Sequence, residues 1–146
     1  MANAARTDPY RNFNFIVEIY GIAQMGFNEV ILPEASADAV EYREGGERGT
    51  VRKLPGRIKF GNLVLKHGIT ASREFYDWWK TVQDGHTERK NVSVILLDEG
   101  RNPVKRWNFF HAWPVRYQPS ALNSLGHDVV IETLEIAHEG MELAQP

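Results

Sequence analysis

The sequence contains no cysteine among its 146 residues. This absence excludes a disulfide framework, a zinc site built on thiolates and a cysteine nucleophile. The sequence also lacks an excess of charge of either sign, because 17 Lys and Arg face 19 Asp and Glu for a formal net charge of −2. The charge balance therefore does not indicate a protein that binds nucleic acid or an anionic membrane through a global basic field.

Long apolar runs are missing as well. No segment approaches the roughly 18 apolar residues of a membrane-spanning helix, and the N-terminal "MANAARTDPYRNF" has no apolar signal-peptide core. We therefore expect synthesis in the cytoplasm without conventional secretion. Hydrophobic residues make up 42% and charged residues 25%, which is typical of a folded globular chain. The length predicts a single domain over residues 1–146.

Motifs of catalysis and ligand binding are also absent. The five histidines are scattered without the spacing of a metal site, and we expect His111, in an aromatic strand, to be structural. There is no nucleophile elbow, P-loop or dinucleotide fingerprint. The glycines of "REGGERG" precede no helix, so a phosphate cradle there would lack the helix N-terminus that binds anions. We predict no catalytic residue, cofactor or metal, and a small β-barrel enzyme or ligand-binding protein stays open as the alternative.

Most of the chain has the apolar and β-branched patterns of strands. The clearest case is residues 13–21, in which alternate positions from Phe13 to Ile19 form one apolar face. The turn-rich "EGRNP" predicts a hairpin between two later strands. The remaining predicted strands lie at 27–32, 38–42, 57–68 with a bulge at Gly61, 91–98, 104–113 and 128–138. The fold is therefore predicted to be mainly β.

One segment, at about residues 72–84, has helical spacing instead. Its apolar residues recur at i, i+3, i+4 and i+7 and predict a core-facing stripe made of Phe75, Trp78, Trp79 and Val82. Thr70 or Ser72 is suited to cap the N-terminus, and Gly85 is suited to the position after the C-terminus. A sugar-stacking platform is the alternative role for the two tryptophans, but aromatic residues at helical spacing usually belong to a core.

The last predicted strand has acidic residues on both faces. Glu132 shares a face with Leu134 and Ile136, whereas Glu135 shares the other face with Ile131. This pattern fits a sheet that is covered on both faces, one by its own core and one by a neighbour or a water-filled channel. It fits equally well a twisted edge strand whose exposure changes along its length.

The segment "YREGGERGTVRKLPG", residues 42–56, is too long and too polar for a turn. Ordering fifteen residues costs about 15–30 kcal/mol, while each fully buried apolar side chain returns only about 1.5–3 kcal/mol. We therefore predict an extended loop that either projects as an arm or is ordered by a partner surface. The loop comprises Tyr42, Arg43, Glu44, Gly45, Gly46, Glu47, Arg48, Gly49, Thr50, Val51, Arg52, Lys53, Leu54, Pro55 and Gly56.

The order of these elements resembles the tail tube proteins of contractile phage tails and phage-tail-like contractile injection systems. The resemblance covers about residues 8–143. It rests on "DPYRNFNFIVEIYG", "YREGG", "RKLPGRIKFGNLVLKHGIT", the "FYDWWK" helix, "RKNVSVILLDEGRNPVKRWNFFHAWPVRY" and "ETLEIAHEGMEL". Each motif is weak alone, but six in the same order are specific.

The resemblance implies a two-sheet β-sandwich or barrel-like subunit with one helix, which forms hexameric rings that stack into a hollow tube. It implies that residues 42–56 contact an adjacent ring and that strands of neighbouring subunits line the lumen. The implied partners are further copies of the chain, a contractile sheath, baseplate or spike proteins, a tail terminator, and a tape measure protein or cargo. A type VI secretion tube protein shares the fold but matches these motifs less well. The short length favours an injection system over a phage virion.

Overall fold

The structure is a computed structural model that describes residues 8–11, 14–22, 26–43, 45, 49 and 51–146. Strands dominate, as predicted. In chain order the elements are β1 Phe15–Ile19, β2 Glu29–Ile31, β3 Ala35–Tyr42, β4 Arg52–Phe60, β5 Leu63–Gly68, α1 Glu74–Gln83, β6 Lys90–Leu97, β7 Pro103–Pro119, β8 Ile131–Ala137 and β9 Met141–Ala144. Within the described residues, no helix is both long and apolar enough to cross a membrane.

Two open sheets share the long strand β7. The first part of β7 pairs with β6 and β9, and β1 pairs with β6, which together make sheet A. The last part of β7 pairs with β8, which is followed by β5 and β2, and these strands make sheet B. All pairings are antiparallel. The predicted two-sheet architecture is therefore confirmed, with a continuous hydrogen-bonded strand joining the two sheets.

Two irregularities let β7 turn from one sheet into the other. The register with β6 shifts between Lys90 and Val92, and the register with β8 shifts between Pro114 and Arg116. His111 has a positive φ of 52° and an exposed side chain, and its N–H donates to Asn91. Such bulges bend a strand and strengthen its twist. His111, predicted to be structural, thus lies at the bulge with its side chain turned to solvent.

The core lies between the two sheets and beneath α1. Alternate residues of β5 and β8 are fully buried, as alternation in a sheet with one covered face requires. From sheet A come Val17, Ile19, Val92, Val94, Phe109 and Ala112, from sheet B come Leu63, Leu65, Leu134 and Ile136, and from the helix come Phe75 and Trp78. Trp79 packs against this core from a partly buried position, and Val82 is half-buried. The two tryptophans therefore form no common exposed platform.

The helix is slightly shorter than predicted and has well-defined ends. Its N-cap is Arg73, which makes no side-chain capping bond, while the Ser72 hydroxyl accepts a hydrogen bond from the N–H of Glu74 at 3.4 Å. At the other end Gly85 has a φ of 84°, and its N–H and that of His86 donate to carbonyls of the last turn. Glycine is favoured there because it adopts this conformation without strain.

β8 is a central strand, between β5 and β7, so the interpretation of residues 128–138 as a twisted edge strand is wrong. Its Glu132 points into the core with Leu134 and Ile136, whereas Glu135 lies on the opposite, half-buried face.

The short strand β9 near the C-terminus was not predicted. Of the first predicted strand, Phe13 lies outside the described residues.

A buried polar cluster links β5, β7 and β8. Nε2 of His67 contacts a carboxylate oxygen of Glu132, the residue directly opposite it on β8, and both side chains are almost completely buried. The second carboxylate oxygen of Glu132 accepts a hydrogen bond from the Tyr117 hydroxyl at 2.7 Å. The His67 ring also packs edge-on against Phe75, with 4.4 Å between ring centroids. One carboxylate and one imidazole thus connect β5, β7, β8 and the helix.

Burial, together with the hydrogen bond to Glu132, raises the pKa of Tyr117 from 10.0 to about 12. The folded-state pKa lies above the unfolded value, so this group's contribution to stability is fully present below pH 10 and is lost as the pH rises through about 12. We expect one tyrosinate absorbance step near pH 12, and its disappearance in Tyr117→Phe. A step of the same size at that pH in the variant would contradict the assignment.

Replacing Trp78 with Ala removes the largest aromatic group that the helix contributes to the core, together with its indole hydrogen bond to the Glu88 carbonyl at 2.8 Å. We expect a loss of about 3–5 kcal/mol in the free energy of unfolding, measured by urea denaturation. Tyr20→Ala is the control, because Tyr20 is 80% exposed. Equal stability of the two variants would show that Trp78 is not a core residue.

Candidate functional site

Residues 35–60 form an arm that stands apart from the two sheets. Its strands β3 and β4 make a separate two-stranded antiparallel sheet, and within the described residues neither pairs with any other strand. All eight residues of β3 are exposed, as are eight of the nine residues of β4. An isolated two-stranded hairpin is marginally stable in water. The arm therefore requires a surface outside the subunit to bury its side chains.

The arm, residues 35–60, is longer at both ends than the predicted loop, residues 42–56. Tyr42 ends β3, and Arg52 to Gly56 belong to β4, so the connecting segment is residues 43–51. This connection contains the predicted loop residues Arg43, Gly45, Gly49 and Val51. Strand β4 contains the predicted loop residues Arg52, Lys53, Leu54, Pro55 and Gly56. The predicted residues Glu44, Gly46, Glu47, Arg48 and Thr50 lie outside the described residues.

Gly56 marks a bulge in the arm. The pairing runs from Ala37 opposite Ile58 to Ala39 opposite Pro55, so β4 has one extra residue at this point. A Cβ on Gly56 would lie 2.8 Å from a methyl carbon of Val40 and 3.1 Å from the Asp38 carbonyl oxygen. Only glycine fits this close approach of the strands.

Apolar side chains on the arm are open to solvent. Val40 and Leu54 are directly opposite each other and share a face with Tyr42, and each of the three is more than two-fifths exposed. Ile58 and Phe60 are exposed on the opposite face because the bulge switches the alternation. Large apolar groups exposed on an arm mark an interaction surface, since they lower the solubility of a free subunit.

The arm is also basic relative to the rest of the chain. Residues 35–60 contain six Lys and Arg against four Asp and Glu, so the arm carries +2 while the remaining residues carry −4. One ion pair lies within the described arm, between Lys59 and Asp38 at 3.0 Å. The arm and the body of the subunit therefore carry net charges of opposite sign.

The base of the arm is held to the body by His138. Its Nδ1 accepts a hydrogen bond from the N–H of Gly140 at 3.2 Å, so Nε2 carries the proton and donates to the Gly61 carbonyl at 2.9 Å. The His138 ring also lies between Phe60 and Phe109, with centroid distances of 5.8 and 5.1 Å. The N–H of Gly61 donates to the Glu34 carbonyl, which closes the base. His138 thus fixes the point at which the arm leaves the body.

The outer face of sheet B is polar. Glu29 on β2 is directly opposite Lys66 on β5, so the two side chains lie on the same face of the sheet. They form an ion pair at 3.1 Å. The Asn62 side chain donates to Glu135 at 2.8 Å. The same face carries Val64, Trp113, Ile131, Thr133 and Ala137 in half-buried positions, and Ile31, Arg116 and Gln118 in exposed positions. Its charged and amide groups are suited to contact with water, whereas Ile31 and Trp113 add apolar area.

Sequence reasoning missed the connection between β7 and β8, residues 120–130, as a candidate surface. Its base is closed by a hydrogen bond from the N–H of Ser120 to the Ile131 carbonyl and by a second from the N–H of Ile131 to the Ser120 hydroxyl. Leu122 and Leu125 are 82% and 85% exposed, and Val129 is 70% exposed. In the sequence the two leucines are surrounded by Asn, Ser and Gly, which is typical of a solvated loop.

Within the described part of the chain, no three His, Asp or Glu side chains are placed to hold a metal ion. An open groove lies between the edges of β1 and β2. Its walls include the aromatic residues Phe15 and Trp107 of sheet A and Phe27, which precedes β2, and its lining also includes Arg11 and Glu29. The groove is a gap between two sheet edges rather than an enclosed site with converging polar groups.

Comparison with known proteins assigns a family. The family model described as T4-like virus tail tube protein gp19 matches residues 11–142, which is most of the chain. No curated protein shows significant sequence similarity to the chain.

Solved structures with the same fold are numerous. A chain in the six-fold symmetrised structure of the anti-feeding prophage baseplate is 26% identical, with a TM-score of 0.85 and coverage of 96% of this chain and 98% of that one. A chain in the PVC sheath/tube terminator of an extracellular contractile injection system is 25% identical, with a TM-score of 0.86 and coverage of 96% and 99%. Hcp1 from Flavobacterium johnsoniae, at 19% identity, TM-score 0.58 and coverage of 92% and 97%, shares the fold.

Replacing Gly56 with Ala tests the packing at the bulge. The added methyl group clashes with Val40 and the Asp38 carbonyl, and overpacking of this kind costs about 1–3 kcal/mol. We expect amide hydrogen exchange in β3 and β4 to accelerate by about fivefold to a hundredfold, while exchange in β5 and β8 is unchanged. Gly45→Ala is the matched control, because nothing lies within 4 Å of a Cβ there. Equal exchange rates in the two variants would show that the bulge imposes no constraint.

Proposed function

Because the chain belongs to the T4-like virus tail tube protein gp19 family, we propose that its copies form hexameric rings that stack into a hollow tube. The tube lies inside a contractile sheath, serves as a conduit, and is driven through a target envelope when the sheath shortens. The observation that carries this proposal is the arm, whose two strands pair only with each other within the described residues and whose apolar residues are exposed. The subunit acts by assembly and catalyses no bond chemistry.

The edges of the two sheets support assembly side by side. Within the described residues, β1 pairs only with β6, and β2 pairs only with β5. Each therefore presents unpaired backbone N–H and C=O groups, which promote pairing with another chain. The open groove between these edges adds apolar surface that a neighbour would cover. In a ring in which each subunit covers the edges of the next, the backbone groups of β1 and β2 become paired and the apolar groove becomes covered.

The polar outer face of sheet B is suited to line the lumen. The Glu29 and Lys66 ion pair and the Glu135 carboxylate keep this face hydrated, while the opposite face of the same strands is the apolar core. A sheet with one face in the core and one in water is typical of a barrel that encloses a channel. This placement accounts for Glu135 on the outer face of β8, whereas Glu132 on the inner face is accounted for by its contacts with His67 and Tyr117.

The family relatives support a set of partners and a biological setting. Chains of this fold occur in a baseplate and in a sheath/tube terminator of contractile injection systems. We infer that this tube also meets a sheath protein, a baseplate or spike protein and a terminator, and that its lumen carries effector proteins in an injection system or DNA in a phage tail. The tube is then part of an extracellular or cytoplasmic particle.

Deletion of residues 44–53 tests the role of the arm in stacking. The deletion leaves Val40 and Leu54 linked through residues 41–43 and removes no residue of the two sheets. We expect the circular dichroism and Tm of the subunit to be unchanged and rings to be visible by electron microscopy, but tubes to be absent. A variant with Gly and Ser at all ten positions is the control for chain length. Tubes of normal length from the deletion variant would contradict the proposed role.

A further inference from the structure

The arm and the 120–130 loop lie at opposite ends of sheet B. The register between β5 and β8 places Leu63 opposite Ile136 at one end and Gly68 opposite Ile131 at the other. The arm joins the body at the first end, because β4 ends at Phe60 just before Leu63. The 120–130 loop leads into Ile131 at the second end. The length of β8 separates the two by roughly 20 Å.

The end opposite the arm carries an exposed apolar patch. We define the receiver patch as Ile69, Leu122, Leu125 and Val129, which are between 41% and 85% exposed. Ile69 and the loop are held together, because the N–H of Ile69 donates to the Val130 carbonyl at 2.9 Å. The loop also has hydrogen bonds of its own. The side-chain oxygen of Asn123 accepts a hydrogen bond from the N–H of Leu125, and the backbone carbonyl of Asn123 accepts one from the N–H of Gly126. The patch therefore belongs to a shaped surface with a hollow between the loop and the start of β8.

We propose that the receiver patch binds the apolar face of the arm from a second copy of this chain in the adjacent ring. The arm supplies Val40, Tyr42 and Leu54, and the receiver supplies its leucines and Val129, so each surface covers what the other exposes. The occupant is another copy because the arm carries +2 and the rest of the chain carries −4, an attraction built into this one sequence. The inference rests on the proposed stacking of rings and assigns the surface that receives the arm.

The placement at opposite ends fixes the symmetry of this contact. A patch at one end that binds a different patch at the other end makes a heterologous interface, which repeats without closing when successive copies follow one another along the tube axis. The same geometry within one ring would instead link each subunit to its lateral neighbour and close after six. The number of subunits that become cross-linked in a row therefore distinguishes contact between adjacent rings from contact within one ring.

Cross-linking tests the proposal directly, because the chain has no cysteine of its own. The double variant Leu54→Cys with Leu122→Cys is assembled into tubes and treated with a flexible bis-maleimide. We expect a ladder on a denaturing gel that continues beyond six subunits, whereas a mixture of the two single variants gives dimers only. A ladder that stops at six would place the arm on a neighbour in the same ring and overturn the proposal. Intact tubes without any cross-link would also overturn it.

A second test changes only residues of the receiver patch and leaves the arm unaltered. Leu122→Ser with Leu125→Ser is expected to lower the yield of tubes by at least about tenfold, with rings and Tm unchanged. Leu143→Ser is the matched control, because Leu143 is 58% exposed on β9, outside the receiver patch. Normal tubes from the double variant would refute the receiver patch while leaving the tube function intact. Failure of the unaltered protein to form rings or tubes with nucleating partners would instead refute the proposed function.

Discussion

The continuous backbone hydrogen bonding of β7 holds the two sheets in one body. Its first part is bonded to β6 and β9 and its last part to β8, so it is the strand through which the two sheets are connected. The bulges near His111 and between Pro114 and Arg116 let one strand satisfy both ladders while it turns. The positions of the arm, the 120–130 loop and the polar outer face all follow from this turn, since each is attached to a strand that β7 aligns.

The polar cluster at the centre of sheet B constrains the register of the strands that carry the assembly surfaces. A slip of one residue between β5 and β8 would separate His67 from Glu132 and leave a buried carboxylate without its partner. Breaking a buried pair in this way is costly, because the desolvated charge is no longer compensated. The cluster therefore supports a single register between β5, which follows the arm, and β8, which follows the 120–130 loop.

Much of the fold could be predicted from local patterns. The hairpin of β6 and β7 follows from its alternation and from "EGRNP", and the helix follows from the spacing of Phe75, Trp78 and Trp79. The four residues of β9 are too few for periodicity to reveal. The patterns at 38–42 and 57–68 predict strands, but the predicted strand 57–68 is divided between β4 of the arm and β5 of sheet B. The first part of β4, from Arg52 to Gly56, belongs to the predicted loop, because both faces of the arm are exposed and its side chains follow no core. The contact of His67 with Glu132 and the exposure of Leu122 depend on long-range pairing and on the surrounding surface, neither of which local sequence contains.

The separation of the arm and the receiver patch would give the proposed tube a direction. One end of such a tube displays unoccupied arms and the other displays unoccupied receiver patches, so the two ends differ chemically although every subunit is identical. A protein that starts the proposed tube and a protein that caps it would therefore have to imitate different surfaces of the same chain. The polarity of the tube would thus follow from the subunit itself.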